Sequence, residues 1–200
     1  FLKQLDHPQS EVRISAAKAL GMLPEIGSGL DAAIQRQLHQ LLTKQGIKIL
    51  VNTKVQSANI DKNPIEINVG TETILADKIL VAVGRRPYTK NLQFPVNDKG
   101  RIEINDRFQT LYPNVYAIGD VVEGPMLAHK ASEEAVVAVE IMANLPSKIN
   151  YMTVPNIVYT SPEAVSIGFT EKEAQDRGLE IIKGQCSFKA VSRARCMGET

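Results

Sequence analysis

Residues Asn114-Val-Tyr-Ala-Ile-Gly-Asp120, followed after a short loop by Ala128-His-Lys-Ala-Ser-Glu-Glu-Ala-Val-Val-Ala-Val-Glu-Ile-Met-Ala143, decide how this chain is read. The first stretch is apolar up to a terminal Gly-Asp and predicts a buried strand. The second has the length and pattern of a strong helix. In α/β sheets a strand, a glycine turn and a helix in this order form a ligand cradle at the carboxyl end of the strand. Gly119 lets the backbone turn tightly beneath a ligand, and Asp120 places a carboxylate where polyol hydroxyls can donate to it. The first helical N–H groups, near Leu127, Ala128 and His129, make a donor-rich end suited to ligand oxygens or developing negative charge. The plainer alternative for Asp120 is a turn or N-cap aspartate.

Upstream, Ser10–Gly21 reads as a short helix capped by Ser10. A clearer helix starts at Asp31, carries Ile34, Leu38, Leu41 and Leu42 on one stripe, and stops at Lys44-Gln-Gly46. Strands are predicted at Ile47–Val51 and Lys54–Ile60. Ile65–Val69 and Glu72–Leu75, joined by Gly70-Thr71, read as an antiparallel hairpin. Lys78-Ile-Leu-Val-Ala-Val83 reads as a buried parallel strand ending at Gly84, where a ligand could approach backbone without a Cβ in the way, or where the chain merely turns. Helix, strand, meander and buried strand together predict the second half of a dinucleotide-binding α/β domain. Downstream, Asn144–Lys148 looks like a linker, and Val154–Tyr159 and Ile181–Lys183 read as strands. Thr170 with Glu173 forms a capping box for a helix over Glu171–Arg177.

Lys and Arg number 23 against 22 Asp and Glu, so no electrostatic footprint points to nucleic acid or an anionic membrane. No apolar run reaches the roughly 18 residues of a membrane span, and no signal peptide is recognised. Cys186 and Cys196 lie ten residues apart, in neither a redox nor a metal-ligand spacing, and the three histidines are scattered. The expectation is a soluble cytoplasmic protein with reduced cysteines and no metal, nucleic-acid or membrane partner.

Four segments carry a family resemblance. Thr110-x-x-Pro-Asn-Val-Tyr-Ala-Ile-Gly-Asp120 resembles the second flavin-binding motif of the pyridine nucleotide-disulfide reductases. Met126-Leu-Ala-His-Lys-Ala131 resembles the segment after that motif in the dihydrolipoamide dehydrogenase branch. Val81-Ala-Val-Gly-Arg-Arg-Pro87 is similar to the crossover that ends the NAD domain of the family. Val154–Glu163 and Ile167–Glu171 resemble the opening of its dimerisation domain. The resemblance implies an α/β fold of partial, doubly wound FAD- and NAD(P)-binding domains, followed by the start of an α+β dimerisation domain. Residues 1–21 would be an unmatched helical segment, 22–87 the end of the NAD domain, 88–150 the returning FAD segment and 151–200 the start of the dimerisation domain.

By the same resemblance, Asp120 binds FAD, Met126, Leu127, Ala128 and His129 lie along the flavin, and Gly84 and Val55 contact NAD, with Val55 at the adenine end. A local hydrogen bond is the alternative for His129, which is not nominated as catalytic. The implied activity is FAD-dependent oxidation of dihydrolipoyl groups with NAD+ as acceptor. The implied partners are a second copy in a homodimer and the lipoyl domains of a 2-oxoacid dehydrogenase or glycine cleavage complex. Rivals are a glutathione or mercuric reductase type, or a non-catalytic remnant or interaction module.

The sequence departs from the family in having no Cys-x4-Cys pair, no G-x-G-x-x-G turn and no His-x4-Glu base pair. The expectation is therefore a chain truncated at both ends that supplies cofactor contacts but no catalytic residue, and is inactive alone. NAD against NADP stays open.

Overall fold

The computed structural model describes Gly27 and residues 29–198, so the helix expected over Ser10–Gly21 lies outside the described residues. In chain order the elements are α1 (Ala32–Lys44), β1 (Val55–Asn59), β2 (Ile65–Val69), β3 (Glu72–Ala76), α2 (Ala128–Met142), β4 (Asn156–Val158), β5 (Ala164–Ser166), α3 (Glu171–Asp176) and α4 (Ser192–Met197). They divide into two compact units. One holds the described residues up to Ala82 and those from Pro155 onward, and the other is Val83–Val154.

In the first unit α1 begins where expected, because the Asp31 carboxylate accepts from the Ala33 N–H at 2.9 Å and satisfies a donor the helix cannot. The helix ends as Gly46 takes a left-handed φ of 91°. Of the predicted stripe, Leu38 and Leu42 are buried with Leu30 and Ala164, and Ile47, Ile49 and Val158 pack against them. The β1-β2-β3 sheet is an antiparallel meander. Its second hairpin, predicted from the Gly70-Thr71 turn, pairs Ile65 with Ala76 and Ile67 with Ile74. Ile67, Val69, Ile74 and Ala76 bury one face. On the other, the Asn68 side chain donates to Ser57 at 2.9 Å and accepts from Thr73 at 3.0 Å, the alternation a half-buried sheet requires. The capping box is present: Thr170 and Glu173 exchange side-chain and backbone hydrogen bonds at the start of α3.

Several predicted strands do not form. Ile47–Val51, Lys78–Val83 and Ile181–Lys183 carry no strand ladder. A strand exists only through its neighbours, and among the described residues none runs beside these segments. Ile47 and Ile49 instead pack onto the α1 core. In the 78–83 run, predicted to be buried, Val81 and Val83 are 73% and 85% exposed. The β4–β5 pair was only half foreseen, since β5 is three residues long.

In the second unit the buried face of α2, Val137, Ala138 and Ile141, packs on Phe108 and Ile149. A smaller core joins Ile102, Ala117 and Val122. The buried strand expected over 114–120 is reduced to one antiparallel bridge between Gln109 and Tyr116. Hydrogen bonds from Thr110 N to Val115 O and from Ala117 N to Phe108 O, at 2.9 and 3.0 Å, hold it on one side. Its end is a 3₁₀ turn, Gly119–Val121.

Candidate functional site

Ile118 is extended and Gly119 turns the chain with a φ of 74°. A Cβ at Gly119 would stand 3.2 Å from the Ala131 Cβ. Left-handed backbone and lack of room thus both call for glycine, so the turn can lie directly against the first turn of α2. That helix starts from an extended Leu127 that makes no side-chain cap hydrogen bond, and its N-terminal end carries the positive pole of the helix dipole.

Asp120 is partly exposed, and its Oδ2 pairs with the Arg85 guanidinium at 3.0 Å. The same guanidinium donates to the Met126 carbonyl at 2.8 Å. Arg85 therefore ties Asp120 to the loop before α2, and it directly follows Gly84, whose φ is 108° and around which a Cβ would meet nothing. Of the expected site residues, Gly84, Asp120, Met126, Leu127, Ala128 and His129 all belong to this second unit. Met126, Leu127 and His129 are half-buried, and Ala128 is exposed. Val55 lies in the other unit, at the start of β1, beside a bulge between Val55 and Ser57.

Beneath the turn is a network that the sequence reading missed. Lys130 and Glu134 are fully buried and paired at 2.9 Å. The Gly119 N–H donates to Glu134 Oε2 at 2.7 Å, and Lys130 Nζ donates to the Gly119 carbonyl at 3.3 Å. The Tyr151 hydroxyl donates to Glu134 Oε1 at 2.8 Å. Burial, then this hydrogen bond, push the Tyr151 phenol above its ordinary value. Gly124, at a φ of 112°, leaves space that the Lys130 stem fills. The available signal was an i,i+4 Lys/Glu pair on a helix whose following turns are apolar.

Elsewhere in this unit, a groove of about 350 Å³ is bordered by Pro95, Ile102, Gln109 and Leu111, and none of the expected site residues lines it. Cys186 and Cys196 are free and exposed. Among the described residues no group of three or more His, Cys, Asp or Glu could hold a metal ion, and no helix is long and apolar enough to cross a membrane.

The family model for "Pyridine nucleotide-disulphide oxidoreductase" matches residues 14–135, and that for the dimerisation domain of the same family matches residues 154–200. The chain belongs to this family. Members of the family use FAD and NAD, and its second matched part is the domain through which they dimerise. Among relatives, the mitochondrial dihydrolipoyl dehydrogenase of Caenorhabditis elegans is 40% identical over 91% of this chain. That of Homo sapiens is 41% identical over 94%. The chain spans 39% of the length of each. Among solved structures, the HOCl-induced flavoprotein disulfide reductase RclA from Escherichia coli superimposes with a TM-score of 0.76 at 26% identity. That match covers 85% of this chain and 41% of that one.

These relatives correct one expectation. The sequence predicts a cytoplasmic location, and this does not stand: the dihydrolipoyl dehydrogenases named above are mitochondrial. Balanced charge and the lack of an apolar span describe how a chain meets water; they carry no address.

Proposed function

We propose that this chain supplies FAD- and NAD-contacting parts of a dihydrolipoyl dehydrogenase, which oxidises dihydrolipoyl groups with NAD+ as final acceptor. The observation that carries the reading is the Gly119–Asp120 turn laid against the uncapped start of α2. A part-exposed carboxylate with one oxygen outside the Arg85 pair, beside the positive end of a helix, suits the hydroxyls of a ribityl chain and the oxygens of a flavin ring. The identity of about 40% to dihydrolipoyl dehydrogenases favours this branch over other disulfide reductases.

When bound, FAD supplies the redox chemistry, accepting electrons from a dithiol and delivering hydride to NAD+. Asp120 accepts from ribityl hydroxyls, while Met126, Leu127, Ala128 and His129 line the flavin. Arg85 holds one carboxylate oxygen of Asp120 and the Met126 carbonyl together, which fixes the spacing between acceptor and donors. Gly84, without a Cβ, lets NAD approach the backbone, and Val55 offers an apolar contact at the adenine end. No residue of this chain is assigned as nucleophile or base. In the domain division proposed with this reading, residues 22–87 complete the NAD domain, 88–150 return to the FAD domain and 151–200 open the dimerisation domain. Lipoyl domains of a 2-oxoacid dehydrogenase or glycine cleavage complex are the proposed partners.

Titration of the purified chain with FAD, followed by quenching of flavin fluorescence, tests the reading. Saturable quenching is expected, weakened by about tenfold or more in Asp120→Ala, since a hydrogen bond to a charged group is worth at least that factor. A wild-type chain that leaves flavin fluorescence unchanged overturns it.

A further inference from the structure

Lys130 and Glu134 are among the largest side chains of the described molecule shut off from solvent. Withdrawing two charges from water is costly, and apolar residues of similar volume would pack the same space at least as stably. The pair therefore calls for an explanation in what it binds, and its bonds have one focus. Glu134 takes the N–H of Gly119 and Lys130 reaches the carbonyl of Gly119, so both backbone polar groups of the residue before Asp120 end in the pair. The other carboxylate oxygen of Glu134 receives the Tyr151 hydroxyl. Tyr151 lies three residues before the dimerisation-domain match begins. One buried carboxylate thus grips the turn that carries Asp120 and, from its other side, the segment where the chain leaves this unit.

We propose that Glu134, with Lys130 and Tyr151, is a positioning group that fixes the Gly119–Asp120 turn and thereby aims the Asp120 carboxylate. The aim toward FAD rests on the function proposed above; the fixing of the turn rests on the geometry alone. A residue that only supports packing and one that positions the turn respond differently to the double substitution Lys130→Met/Glu134→Leu. That change removes both charges together and leaves no orphan ion, so its cost is limited to the partners left unpaired on Gly119 and Tyr151. The Gly119 amide loses its acceptor.

The experiment measures three quantities on the full chain: the melting temperature, hydrogen exchange of the Gly119 amide, and FAD affinity by flavin fluorescence. The double variant is expected to stay folded with a lowered melting temperature, while Gly119 exchanges about tenfold faster than the fall in global stability accounts for and FAD binds about tenfold more weakly. Tyr151→Phe, which removes one donor from a half-exposed ring, is expected to fold normally and to speed Gly119 exchange by about threefold. Unaltered Gly119 exchange in a folded double variant overturns the proposal. Should the double variant not fold, unaltered exchange in Tyr151→Phe overturns it instead. A wild-type chain that binds no FAD, with Gly119 exchange still accelerated in the variants, removes the flavin reading and leaves the positioning of the turn supported.

Discussion

Asp31 shows how much one carboxylate can organise. Its Oδ1 caps α1 through the Ala33 N–H, and its Oδ2 accepts the Glu171 N–H at the start of α3, 140 residues away in sequence, at 3.1 Å. These two backbone hydrogen bonds hold its carboxyl below the ordinary value of 3.8. A depressed folded-state value means that the contribution is fully present above about pH 4 and disappears as pH falls through the lowered value. Asp31→Ala is expected to cost about 1–2 kcal/mol near neutrality. In urea titrations across a pH series, its gap from the wild type should close below about pH 4; a gap independent of pH would sink the argument. The first of the two roles was readable, because an aspartate before an apolar stripe is a local signal. The second was not, because no pattern in the sequence brings Glu171 near.

At the scale of elements, the same division between local and distant explains what was legible. The boundaries of α1, the β2–β3 hairpin and the capping box of α3 lie in short windows, where caps, Gly70-Thr71 and alternation leave one solution. The runs at 47–51, 78–83 and 181–183 have strand composition but lack ladder partners among the described residues, and composition alone does not make a strand. At the candidate site, the sequence showed Gly119 and Asp120, whose roles follow from residue type. It hid Arg85 and the Lys130–Glu134–Tyr151 network, whose roles follow from what they touch. The hairpin offers a direct check of register. Ile74 is 6% exposed and its neighbour Leu75 is 60% exposed. Ile74→Ala should therefore cost about 2–4 kcal/mol and Leu75→Ala about 0.5 or less. A larger loss for Leu75→Ala than for Ile74→Ala in denaturant unfolding would show that the sheet presents the other face.

For the whole molecule, the apolar run ending at Val83 stands out, since Val81 and Val83 project largely into water. Exposed valines two residues apart, on a segment without a ladder partner among the described residues, invite pairing with another chain. Sedimentation at rising concentration should show association that is reduced in Val81→Lys/Val83→Lys; association of equal strength in the variant would place the contact elsewhere. The buried pair beneath the turn has a consequence of another kind. Removal of either partner of such a pair alone costs about 3–5 kcal/mol, whereas exchange of both together is close to neutral. A lineage can thus abandon the arrangement only by two changes at once or by passing through a crippled intermediate. Lys130 and Glu134 are therefore expected to be kept or exchanged together among relatives, and a relative with one of the two but not the other on an intact turn would contradict this.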